Sequence, residues 1–289
     1  MHDIEMHQVS EEFARCWQAA GRHLQSKVQG PLHSWLKADL NPPFLEHLSF
    51  RLGNQLFFIR IEDVDGRLKI PGSHAGLLSV ADGCKGYACL MPMRRRESGW
   101  TSDEPGWGLI DARTGKSVDP ANEITDERIE MTDWELQDFA VQIVRQHLEK
   151  HGRKLMSWQG NPAVNPSIWF VGENGPEWFV VRAVRYPKSE AEPSADWEQI
   201  ASSYAAMSKT GHFASVSIAS ADDPFDPNSS MPPEPLWRGY GMLVRLRSSS
   251  PGRRHRPGRL GLVNALSLTA LSSGSLIRFR ALSARQAAE

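Results

Sequence analysis

The sequence predicts an α/β protein of the α+β type, and three observations carry that prediction. An apolar stripe at helical spacing follows Ser10, period-two segments begin at His47, and a capped helix, three strands, a helix and a strand occupy Thr132 to Ser220. The 289 residues suit one large or two ordinary domains, and 40% apolar with 23% charged residues is an ordinary globular balance. The longest apolar runs, such as Leu56 to Ile59, fall far short of the roughly 20 residues a membrane-spanning helix requires. Met1 to Val9 alternates charged and apolar residues and so lacks a signal-peptide core. We therefore expect no membrane contact and a cytoplasmic location. Cys16, Cys84 and Cys89 are odd in number and spaced unlike a zinc or redox motif, which predicts buried free thiols.

The elements follow in order. Ser10 caps a helix with Phe13, Cys16, Trp17, Ala20 and Leu24 on one face. A short helical piece with Leu32, Trp35 and Leu36 lies between Gly30-Pro31 and Asn41-Pro42-Pro43. Strands are expected from His47 to Arg51, Gln55 to Glu62, Arg67 to Ile70, Tyr87 to Arg94 and Trp107 to Ala112. Residues 1–120 thus read as a helix followed by an antiparallel meander, with Asp119 to Asn122 as the boundary to a second region, 121–245.

That second region opens on Thr132-Asp133-Trp134-Glu135, a capping box in which hydroxyl and carboxylate reciprocally satisfy the free amides of a helix start. Leu136, Phe139, Ala140, Ile143, Val144 and Leu148 continue it as a stripe to Gly152. Strands follow at Lys154 to Gln159, Ser167 to Val171 and Glu177 to Tyr186, the last two joined as a hairpin. Pro193-Ser194 opens a helix with Trp197, Ile200, Ala201 and Tyr204, His212 to Ala219 is a strand, and Trp237 to Arg245 another. Residues 246–289 contain eight arginines against one acid, and Arg, Leu and Ser dominate without any period. We read that segment as non-native, frameshift-like or disordered, and expect the informative chain to end near Arg245.

The order α, β, β, β, α, β around an apolar hairpin resembles the core of the PD-(D/E)XK restriction-endonuclease-like superfamily, over roughly Thr132 to Ser220. In active members of that superfamily a Pro-Asp pair opens the second strand, and an acidic residue, a spacer and a lysine lie in the third. The two carboxylates hold Mg²⁺ and the lysine positions the attacking water. The resemblance aligns the first pair with Pro166-Ser167 and the second set with Val180-Val181-Arg182. Serine and valine stand where the metal ligands belong, and an arginine cannot act as a base at ordinary pH. It therefore implies an inactive relative: a non-catalytic interaction protein with a protein partner and no cofactor. The alternatives are a Mg²⁺-dependent nuclease with relocated ligands, for which Glu135, Glu173 and Glu177 are the candidates, and a nucleic-acid-binding protein.

Other groups were weighed from spacing alone. His147 and His151 lie four apart on a helix, a metal-ligand spacing, but Glu149 is displaced from its place in a zinc-protease motif. Asp63 to Gly66 fails as a calcium loop because Ile61 occupies the first ligand position. Ser73-His74 sits in a glycine-rich turn without nucleophile-elbow spacing. Arg94-Arg95-Arg96, with Trp100 and Trp107 nearby, offers phosphate contact and stacking surfaces, or simply a solvated face.

Overall fold

A computed structural model describes residues 10–29, 47–173, 175–193, 195–223 and 232–249, together with the backbone of two short paired strands at Leu266–Thr269 and Arg278–Ala281. The protein is α+β, with mixed sheets in two compact units, Met1–Glu127 and Arg128–Glu289. The expected helix at Leu32 to Leu36 lies outside the described residues.

In the first unit α1 (Glu11–Gln25) starts as expected, with Ser10 Oγ accepting the Phe13 amide at 3.1 Å. β1 (Leu48–Leu52) and β2 (Gln55–Asp63) form an antiparallel hairpin whose turn places Gly53 at φ 58°, a conformation that favours glycine. The chain then departs from the expected meander. Arg67 to Ile70 is not a strand, and Ser73 caps α2 (His74–Gly83), which carries the chain over so that β3 (Tyr87–Arg96) pairs with β2 in parallel. Parallel neighbours require such a crossover, so one helix converts the meander into a mixed sheet. β4 (Gly99–Ser102), β5 (Leu109–Asp111) and β6 (Ser117–Val118) complete it. The core joins Phe13, Cys16 and Trp17 to Phe57, Ile59, Cys89 and Met91. The three cysteines are free and buried, and burial pushes the Cys16 and Cys89 thiols up to about 12.

The second unit begins with α3 (Asp133–Lys150), whose capping box is complete. β7 (Lys154–Trp158), β8 (Ile168–Gly172) and β9 (Gly175–Arg185) run antiparallel. α4 (Trp197–Tyr204) then leads to β10 (Gly211–Ser220), parallel to β9. The αβββαβ order is the expected one. β11 (Met242–Ser249) adds an antiparallel edge, giving the sheet order β11-β10-β9-β8-β7. β11 runs past Arg245: its pairing with β10 continues to Ser249, Leu246 is buried, and the Arg247 guanidinium meets Glu190 at 2.6 Å. α4 begins after Asp196 rather than at Pro193-Ser194. On the α4 side of the sheet Trp169, Trp178, Val180, Ile200 and Phe213 form one apolar cluster.

Candidate functional site

The candidate site is the place where β9 outruns β8. Ile168 pairs with Phe179, and the Ser167 amide donates to the Phe179 carbonyl at 2.8 Å. Beyond it the Val181 and Ala183 backbone groups turn toward the side where β8 has ended. Buried backbone polar groups require partners, and two side chains supply them. Ser167 Oγ accepts the Val181 amide at 3.2 Å. Gln137, from α3, donates through Nε2 to the Val181 carbonyl at 2.8 Å and accepts the Ala183 amide at 3.1 Å through Oε1. The amide of Gln137 thus stands in for one repeat of a missing strand and fastens the helix to the sheet.

Ser167, Val180 and Arg182, the three positions that the expected resemblance singles out, lie here, and each side chain is engaged structurally. Ser167 is buried and engaged as described. Val180, one residue before the clamped position, points to the opposite face and is sealed in the aromatic cluster. Arg182 donates to the Val181 carbonyl at 2.9 Å and to Asn165 Oδ1 at 3.0 Å. Burial pulls its guanidinium below the ordinary value, with Asp196 opposing. Tyr204 Oη holds the same loop by donating to the Asn165 carbonyl at 2.9 Å.

The three glutamates weighed as relocated ligands each have a separate basic partner. Glu135 is buried, bonds the Thr132 amide through Oε2, and receives two bonds, at 2.7 and 2.9 Å, from the buried Arg238. Arg238 is brought there by a short ladder in which Met131 donates to Leu236 and Arg238 donates to Ile129. Glu173 is exposed beside Arg153. Glu177 contacts His212 at 2.7 Å, the imidazole stacking on Phe179. Gly172 makes room for the Glu177 carboxylate, since a Cβ there would lie 2.1 Å from it.

The remaining candidates are likewise accounted for. His151 Nδ1 lies 2.7 Å from the His147 carbonyl and donates to it, and the two rings are 4.3 Å apart. Burial, then His151 and Lys150, lower the His147 imidazole below its usual value. Ser73 Oγ accepts the Gly76 amide as a helix cap, and His74 Nε2 sits 3.2 Å from the Ala112 carbonyl. Asp63 accepts the amides of Asp65, Arg67 and Leu68 and so organises its own turn. The arginine run is paired internally, Arg94 with Asp103 and Asp65, Arg95 with Glu12, and Arg96 with Asp103. Among the described residues no group of three or more His, Cys, Asp or Glu side chains is arranged to hold a metal ion. Among them, too, no helix is long and apolar enough to cross a membrane.

Sequence reasoning missed the buried polar side of α3. Glu135, Gln137, Asp138, Gln142 and Arg145 are all buried. The Arg145 guanidinium lies over the Trp158 ring at 4.7 Å. Burial pushes the Asp138 carboxyl up to about 7, with the Gln142 amide and Arg145 opposing and Glu135 adding to the rise.

Together these features define an α+β unit whose central strand edge is closed by its own side chains. A family model described as a domain of unknown function (DUF8840) matches residues 134–247, which span α3 to most of β11. No curated protein and no solved structure matches the chain.

Proposed function

We propose that the chain is a non-catalytic interaction protein built on a degenerate nuclease-like core. The observation that carries this reading is the occupation of the aligned motif positions. Ser167 spends its hydroxyl on the Val181 amide, Val180 is sealed in an aromatic cluster, and Arg182 is tied to Asn165. A hard divalent cation needs oxygen ligands with free lone pairs. Here neither aligned position offers a carboxylate, and Glu135 and Glu177 are each committed to a basic partner. The αβββαβ order supports the nuclease-like part of the proposal. Pairing of Arg94, Arg95 and Arg96 with neighbouring acids weighs against a phosphate-binding surface in that run. The test is incubation of the full chain with varied DNA and RNA in Mg²⁺ or Mn²⁺, alongside affinity capture from its native source. No cleavage and a stoichiometric protein partner are expected. Metal-dependent cleavage lost in Glu135→Gln or Glu177→Gln would overturn the proposal.

A further inference from the structure

We propose that Asp138 is a proton-operated latch: while neutral it holds the segment 159–164 against α3, and on ionisation it releases that segment to admit water. The geometry begins with the carboxyl itself, which is buried with neither oxygen in a hydrogen bond of ordinary geometry, the Gln142 amide on the same helix being the polar side chain turned toward it. Gly160 lies directly on it, so close that a Cβ there would stand 2.1 Å from Oδ1 and 2.8 Å from the Asp138 Cα. Helix and segment therefore touch with no room for solvent between them. A carboxylate so poorly hydrogen-bonded in such a place is strongly disfavoured, whereas the neutral acid is tolerated. Three groups act on its charge, Gln142, Arg145 and Glu135, all on α3, and Glu135 is itself paired with Arg238. The residue that the segment packs against it is Gly160, which carries no charge.

The segment is built to move as a piece. Gln159 Nε2 donates to the Val164 carbonyl, the Asn161 amide donates to Gln159 Oε1, and the Ala163 amide donates to Asn161 Oδ1, while the Gln159 amide, donating to the Ser167 carbonyl at 3.0 Å, marks the near end of the movement. It follows β7, an edge strand with a register shift between Leu155 and Ser157. Asn165 is anchored by Arg182 and Tyr204 and marks the far end of the movement. Opening a short stretch next to an edge strand is a low-cost local fluctuation, and ionisation of a carboxyl buried beneath it biases that equilibrium.

Amide hydrogen exchange on the full chain tests this, with β10 as internal reference and rates corrected for their intrinsic pH dependence. For a carboxyl near 7 when closed and near its ordinary 3.8 when open, opening of residues 159–164 rises about fiftyfold between pH 5 and 7 and levels off above. Asp138→Asn keeps the shape without the charge and abolishes the rise. An unchanged ratio to β10 across that range, or the same rise in Asp138→Asn, overturns the proposal. If that variant does not fold, the carboxyl carbon of Asp138 in the unmodified chain is followed by NMR. A midpoint near 7 supports the latch, and one near 4 refutes it.

Discussion

Replacing Arg238 by Met removes the basic partner of Glu135 and leaves its carboxylate in a site from which solvent is excluded. Arg238 and Glu135 are 0% and 1% exposed at their side chains, and the guanidinium makes two bonds to the carboxylate. Once the arginine is gone, Glu135 retains the Thr132 amide at 2.8 Å, one bond for a buried charge. Removing one member of a buried pair costs about 3–5 kcal/mol, because the other charge stays behind uncompensated. For a unit of this size that corresponds to a fall of roughly 10 °C in Tm. Urea denaturation of the full chain, followed by fluorescence with far-UV circular dichroism as a second probe, measures the change. A second variant separates charge from packing. Glu135→Gln combined with Arg238→Met keeps a capping residue at the helix start but removes the stranded charge, and is expected to recover about half of the loss. A cost below about 1 kcal/mol for Arg238→Met, or simple additivity in the double variant, would refute the role assigned to the pair.

Gln137→Ala should cost about 2–4 kcal/mol in the same denaturation assay, since it strands the Val181 carbonyl and the Ala183 amide where β8 has ended. Asp138→Asn should stabilise the chain at pH 8 by about 4 kcal/mol and have little effect at pH 4. The sign follows from a folded carboxyl raised toward 7, whose favourable neutral form is lost as pH climbs from 3.8 through that value. Thermal melts at the two pH values check it. Cys16 and Cys89, buried and pushed up to about 12, should react with a thiol reagent at pH 8 only after unfolding. Reaction of either within seconds in the native chain would show that the core of the first unit is open.

The parts of the fold legible in the sequence were those written in local signals. The capping box at Thr132 and Glu135, the α3 stripe and the αβββαβ order needed only neighbouring residues to be read. α2 was not legible because its apolar signal is a single turn, Leu77, Val80 and Ala81, set among glycine and serine that favour a loop. Missing it also lost the parallel pairing of β2 with β3. The polar side of α3 has the composition of a solvated face, and what buries it comes from far along the chain: Arg238 for Glu135, the β9 backbone for Gln137 and Gly160 for Asp138. No window of sequence contains both halves of those contacts. The sequence signal weakens after Arg245 while β11 runs on to Ser249, because β11 is held by its partner β10 rather than by its own pattern.

The centre at Ser167, Val180 and Arg182, where no aligned position carries a carboxylate, is tested most directly by calorimetric titration of the full chain with Mn²⁺, read together with cleavage of plasmid DNA and structured RNA. Such a centre predicts no saturable heat in the micromolar range and no metal-dependent products. Saturable binding that is lost together with cleavage in Glu135→Gln or Glu177→Gln would contradict it.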